Sequence, residues 1–201
     1  EQRLPDGSVV RLNTDTSLLW RGTEALREID VELGGEIFVD VAKDADRPFV
    51  VRTDHGLATA IGTAFGVHAR PEGTSVVVTE GVVEVLAHNA EAAPARRLAA
   101  GEAVDVTAGA GPGAVRDAAS ESLAWRQGRL VYDDVPLAQL VEDLNRYLPR
   151  RMTISDPALA ATRVSAVLVL SDQETMLRGL AQVLPLDWVP LNDSVLVIHP
   201  S

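Results

Sequence analysis

Leu26-Arg27-Glu28-Ile29-Asp30-Val31-Glu32-Leu33-Gly34-Gly35-Glu36-Ile37-Phe38-Val39-Asp40-Val41 is the stretch that decides the fold class of the first half of the chain. Its first eight residues alternate, so that Glu28, Asp30 and Glu32 share one face of an extended strand and Ile29, Val31 and Leu33 the other. Such a strand is half buried. A Gly-Gly pair interrupts it, and residues 36–41 resume with β-branched and aromatic side chains. The same writing recurs on both sides up to about residue 107. Further candidate strands are 8–13, 17–20, 49–53, 57–61, 65–69, 75–79, 82–87 and 103–107. They are punctuated by Asp6-Gly7, His55-Gly56, Glu72-Gly73, Glu80-Gly81 and Ala100-Gly101. The spacing predicts a mainly β domain over residues 1–107, an antiparallel sandwich or rolled sheet.

Residues 108–124 change to Ala, Gly, Pro and Ser, as in Ala108-Gly109-Ala110-Gly111-Pro112-Gly113, which has little to bury and reads as a flexible linker. Beyond it, over 125–201, strand and helix patterns alternate. A displacement of 36 positions sets Leu140, Val141, Leu144, Tyr147, Leu148 and Pro149 over Met176, Leu177, Leu180, Val183, Leu184 and Pro185. Each set is one apolar helix face followed by a terminating proline. The same displacement superimposes the strand around Val131 on the one around Val167, and 152–154 on 188–190. Asp134 before Pro136, and Ser171 three residues ahead of Glu174, read as helix starts. A final strand at 194–199 completes a small α+β domain of two βαβ repeats, with the helices covering one face of a sheet.

Composition narrows the function. The 201 residues carry 18 Lys+Arg against 29 Asp+Glu, a net charge of −11, with 46% hydrophobic residues and no cysteine. This is an ordinary folded composition. The acid excess is even: 18 acidic and 11 basic residues up to Arg116, 11 and 7 from Asp117 onward. Neither part offers the basic face that nucleic acid or an anionic membrane requires. Without cysteine there is no disulfide framework, thiolate metal site or cysteine nucleophile. No apolar run reaches the roughly 20 residues of a membrane span. The chain opens on Glu1 with no signal segment, and we read it as the soluble portion of a longer protein.

Motifs of catalysis are not found. His55, His68, His88 and His199 form no metal-ligand pattern and fall at expected turns and strand ends. Asp44-Ala45-Asp46 starts like a calcium loop but has His55 where the closing glutamate belongs. There is no G-x-S-x-G and no G-x-G-x-x-G between strand and helix. Asp133-Asp134 precedes a helix, where capping and the helix dipole account for it. The expectation is a binding module without catalytic residues, cofactor or metal. Tyr147 lies on an apolar helix stripe and reads as core. Trp125 and Trp188 are candidate partner contacts, with packing as the competing role.

Several segments, in order and spacing, resemble the FecR-type periplasmic domain of iron-uptake anti-sigma regulators. They are Leu4-Pro5-Asp6-Gly7-Ser8 with Leu12-Asn13; Gly35-Glu36-Ile37-Phe38-Val39-Asp40-Val41-Ala42-Lys43 with Arg47-Pro48-Phe49-Val50-Val51; Gly62-Thr63-Ala64-Phe65; Glu80-Gly81-Val82-Val83-Glu84-Val85; and Leu98-Ala99-Ala100-Gly101-Glu102. Trp125-Arg126-Gln127-Gly128-Arg129-Leu130-Val131-Tyr132-Asp133-Asp134-Val135-Pro136-Leu137 and Leu144-Asn145-Arg146-Tyr147 are similar to the C-terminal portion of the same proteins. The repeated βαβ segment resembles the secretin/TonB short N-terminal domain. The resemblance implies the periplasmic receiver of a single-span inner-membrane regulator of Gram-negative bacteria. Its signal is contact from the N-terminal signalling domain of a TonB-dependent siderophore transporter. Its output is control of an ECF sigma factor through a cytoplasmic segment.

On this reading the second domain docks the signalling domain by strand addition, along strand 163–170 with Arg163, Val167 and Leu168, and through Trp125 and Trp188. An envelope glycan-binding or oligomerisation module is the alternative, and it calls for an aromatic-lined groove on the first domain. An envelope hydrolase with convergent acids is a third reading, and it calls for a cleft with paired carboxylates.

Overall fold

The structure, a computed structural model, describes residues 1–88, 94–107, 109–118, 120–193 and 195–201. Ala108 and Ala119 of the expected linker, and Ser194 at the head of the expected last strand, lie outside the described residues. The chain divides into two units, Glu1–Ser120 and Glu121–Ser201, so the boundary falls inside the stretch read as linker.

The first unit is built from β1 (Gln2–Arg3), β2 (Val9–Leu12), β3 (Leu18–Trp20), β4 (Arg27–Val31), β5 (Glu36–Asp40), β6 (Phe49–Arg52), β7 (Gly56–Ala60), β8 (Ala64–Arg70), β9 (Gly73–Glu80), β10 (Val82–Ala87), β11 (Arg96–Ala99), β12 (Glu102–Thr107) and β13 (Arg116–Asp117). A seven-stranded sheet runs β1-β2-β5-β8-β9-β12-β13 and a six-stranded sheet β11-β10-β7-β6-β4-β3. All pairings are antiparallel except β4 with β6. One apolar cluster draws Val10, Ile37, Phe65 and Val78 from the first sheet and Ile29, Phe49, Val83 and Leu98 from the second, as in a sandwich.

Every strand expected in this region is present. β1, β11 and β13 were not anticipated, and the reason is physical. β1 and β13 are two residues long, and β11 buries only Leu98, so none carries an alternating pattern. β13 also corrects the linker: it pairs with β12, and Arg116 grips the Asp105 carboxylate with bonds of 2.9–3.3 Å. The deciding stretch departs from its reading in one respect. β4 ends at Val31, and the chain leaves the six-stranded sheet through Gly34, at φ +84°, to enter the seven-stranded one. Leu33 is therefore 52% exposed rather than inward. Glu28, on the face read as polar, is buried beneath Arg52, which donates to it twice at 3.2 Å.

Arg27 is the largest surprise. It sits on the inward face of β4, 1% exposed, and pairs with Asp6 at 3.2 Å. Its remaining donors go to the carbonyls of Arg47 (2.6 Å), Ala42 (2.7 Å) and Asp44 (3.2 Å), and it lies 5.8 Å from the centre of the Phe49 ring. Asp6 in turn accepts from the Ser8 backbone and hydroxyl, and Ser8 Oγ accepts from Ala42 N at 3.0 Å. A charge that far from water is tolerated only when it is paired and each of its nitrogens is hydrogen-bonded. The result fastens the β1–β2 turn, loop 41–48 and β4 to one another.

The second unit comprises a 3-10 segment (Ser120–Gln127), β14 (Arg129–Pro136), α1 (Leu137–Asn145), β15 (Arg151–Ile154), α2 (Pro157–Ala161), β16 (Arg163–Val169), α3 (Gln173–Ala181), β17 (Leu186–Asn192) and β18 (Val195–Pro200). β14 and β16 form an antiparallel pair, and β15-β18-β17 a three-stranded sheet. The repeat is visible in the register. Val131 lies directly opposite Val167, the residue 36 positions on, so the two repeats meet at equivalent strands. Leu137, Leu140, Leu144, Leu177 and Leu180 fill the core. Helix starts differ from expectation. α1 is led by Pro136 with no side-chain cap, because Asp134 belongs to β14, whereas α3 is capped by Asp172 rather than Ser171. α2, only five residues long, was not anticipated. His68 lies within β8 rather than at its end, 3.9 Å from Glu36.

Candidate functional site

β16 alternates strictly. Val164 and Leu168 point into the core, while Arg163, Ser165, Val167 and Val169 face out. Val167 is 61% and Val169 64% exposed, an unusual placement for two β-branched residues on one strand. Opposite them, β14 presents Val131 and Arg129. Near its end β14 bulges between Tyr132 and Val135, with Asp134 at φ +49°. There Arg163 donates to both Asp134 oxygens, at 3.0 and 2.8 Å, and Ser165 Oγ accepts from Asp134 N and donates to Asp133. The guanidinium holds Asp134 below the usual carboxylate range, and the carboxylate raises Arg163 in return. Asp133-Asp134 thus pins a bulge and does not cap a helix.

The unit has four strand edges to which no strand is hydrogen-bonded among the described residues. Three carry features that discourage pairing. β14 has its bulge and Pro136, β15 is four residues long, and β17 has Pro190 and a bulge before Asn192. β16 has seven residues, no proline and no positive φ. By the devices that blunt sheet edges, it is the unguarded one.

The residues expected to bind a partner are placed unequally. Val167 is presented on the outer face. Leu168 is core, so it cannot share a contact face with its neighbour. Arg163 is exposed but engaged with Asp134. Trp188 stands opposite Ile198 on β17, in the other sheet, half-buried against the core. Trp125 is half-buried in the 3-10 segment, with its indole N–H buried and unpartnered. Val169 and Val131 were missed, although period-2 counting from Val167 finds the first of them.

A second feature lies on the first unit: an open cleft of about 400 Å³ on the outer face of the six-stranded sheet. Its lining includes Lys43, Pro48, Ile61, Val82, Glu84 and Arg97, with no aromatic residue and a single carboxylate. That lining lacks what either the glycan or the hydrolase reading calls for. Among the described residues no group of three His, Asp or Glu could hold a metal ion, and no helix is long and apolar enough to cross a membrane.

Comparison with known proteins agrees with this architecture. Residues 1–84 match the family model described as FecR protein. Two crystal structures of a protein from Parabacteroides distasonis ATCC 8503, described as a "putative anti-sigma factor", resemble the whole chain. One is 25% identical with a TM-score of 0.83 and the other 26% identical with 0.82; each match covers 100% of this chain and 93% of that one. No curated protein matches significantly.

Proposed function

We propose, on the premise that the chain belongs to the FecR protein family through its first unit, that it is the signal-receiving region of an anti-sigma regulator. The second unit takes up the N-terminal signalling domain of a TonB-dependent siderophore transporter, and the message passes to an ECF sigma factor through a cytoplasmic segment of the parent protein. The receiver works in the periplasm, with its parent anchored in the inner membrane. Its role is recognition rather than catalysis. The anti-sigma description of the Parabacteroides protein, which this chain matches over 93% of its length, supports the class.

The observation that carries the docking step is β16, an unguarded edge bordered by exposed Val167 and Val169. An incoming strand gains backbone hydrogen bonds along it, while the alternate valines and Ser165 give selectivity. Binding must favour one state of the receiver over another, since a partner with equal affinity for both transmits nothing. Isothermal titration of the 201-residue chain with a purified signalling domain tests the reading. Saturable heat is expected, weakened by V167K/V169K; absence of heat and of any mobility shift at high concentration overturns it.

A further inference from the structure

The cleft on the first unit is not used by the docking just described, and its construction calls for an occupant. Arg11, Arg21, Arg27, Arg47, Arg52 and Arg116 all meet a carboxylate within 4 Å. Arg3, Arg70, Arg96, Lys43 and Arg97 meet none among the described residues; Arg3 and Arg96 donate to backbone carbonyls instead, and Lys43 and Arg97 both line the cleft. In a unit where acids outnumber bases, two unpaired cations converging on one depression is the unexpected arrangement. Thr63 adds to it: this cleft residue is 6% exposed, and its hydroxyl is buried without a partner.

The walls are held rigidly. Lys43 and Pro48 sit at the two ends of the loop whose Ala42, Asp44 and Arg47 carbonyls Arg27 clamps from below. Val41 N donates to Thr63 O at 2.9 Å and Asp44 N to Ile61 O at 3.3 Å, binding that loop to the opposite wall. A Cβ on Gly62 would lie 2.8 Å from Lys43 Cγ, and one on Gly81 2.6 Å from Thr63 Cγ2. Both glycines have positive φ and permit this close approach. A buried arginine and two glycines thus fix the geometry of an exposed pocket, which lowers the entropy cost of binding.

The floor sets the occupant's form. Thr59, Glu84 and Arg97 stand side by side across β7, β10 and β11. Val82 precedes Glu84 by two residues on β10, so an apolar and a charged position repeat about 7 Å apart. Side chains at i and i+2 of an extended chain have that spacing. Ile61 (49% exposed) and Val82 (39%) offer apolar surface beside the cations. We propose that this cleft binds an extended peptide segment that carries apolar and acidic side chains two residues apart, so that both lie on the face turned to the sheet, its carboxylates meeting Lys43 and Arg97.

The test is a ¹H–¹⁵N NMR titration of the 201-residue chain with acetyl-Glu-Ser-Val-Ser-Glu-amide, which sets Glu, Val and Glu on one face, and with its uncharged counterpart acetyl-Gln-Ser-Val-Ser-Gln-amide. Saturable shifts are expected at the amides of Gly62, Thr63, Glu84 and Arg97. The Gln peptide and the K43Q/R97Q variant should each bind roughly tenfold more weakly, the worth of two partly exposed ion pairs. E84Q removes the cleft's one acid and should bind the Glu peptide more tightly, a gain that misfolding cannot produce. Equal binding of the two peptides, shifts confined to other surfaces, or unchanged affinity in K43Q/R97Q overturns the proposal. Because β16 takes no part, failure here leaves the docking reading standing, and the reverse.

Discussion

The two units manage polarity in opposite ways. The first buries Ser8, Arg27, Glu28, Glu36, Thr53, Thr63 and Thr74, and partners most of them across its core or at its margins. Asn13 donates to Glu36 at 2.7 Å, Thr53 and Thr74 share a 2.7 Å bond, and Arg27 meets five polar neighbours or rings. The second buries only Gln173 among its described polar residues, and its exposed Val167, Val169, Val189 and Leu191 stand on two strands, whereas Leu26, Leu33, Ile61 and Val115, exposed in the first unit, lie outside its strands. Buried polar networks specify one arrangement because any other leaves a donor unpaired. Exposed apolar strand positions do the converse, since they gain most when another molecule covers them. The first unit is therefore a scaffold with fixed geometry, and the second a surface awaiting a partner.

The sharpest way to break that contrast is to remove the scaffold's central charge. R27A leaves the buried Asp6 without its counter-charge and takes the side-chain donor from three carbonyls, and should destabilise the first unit by about 3–5 kcal/mol, as loss of one member of a buried pair does. Denaturant unfolding followed by two probes separates the units: in a W125F/W188F background Trp20, packed 6.1 Å from Phe49, reports the first, and far-UV helix signal the second. The second transition should not move. L140A is the mirror experiment, with Leu140 fully buried and an expected loss of about 2–5 kcal/mol confined to the second unit.

The surface half of the comparison predicts small effects on stability. V167K/V169K exchanges exposed apolar groups for charges that reach solvent, and the midpoint should shift by less than about 0.5 kcal/mol per site. A large loss would mean that those valines are packed rather than presented. Smaller still is a pH effect at α3. The Thr175 backbone N–H, then its hydroxyl, hold Asp172 below the ordinary carboxylate value of 3.8. A depressed folded value means that the cap contributes fully above the unfolded pKa and is lost as pH falls through the folded one. Thermal melts at pH 5 and pH 3 should show a helix-unit difference that D172N reduces, because the amide still accepts but does not titrate.

The strand pattern of the first unit was legible because its signals are local: residues 36–41 and 82–87 needed only their β-branched side chains and the glycines that precede them. The 36-residue repeat was legible for the same reason, and Val131 opposite Val167 is its structural trace. What stayed hidden depends on residues far apart in the chain. Arg27 reads as one more charge on an amphipathic strand until the turn at Asp6 and the loop at 42–47 close over it. The crossing at Gly34-Gly35, which moves the chain between sheets, is likewise set by packing and not by the two glycines alone. Leu168 was misplaced as a contact because strand direction was considered without its parity. The guarded and unguarded edges of the second unit could not be ranked before the bulges in β14 and β17 were seen.

The central claim is that β16 accepts a partner strand. Hydrogen–deuterium exchange of the 201-residue chain, alone and saturated with a transporter signalling domain, reads that step at the backbone. The account predicts slowed exchange at alternate amides of Val164–Val169, with the amides of β15 and β17 unchanged. Saturated binding that leaves β16 exchanging at its free rate would contradict it.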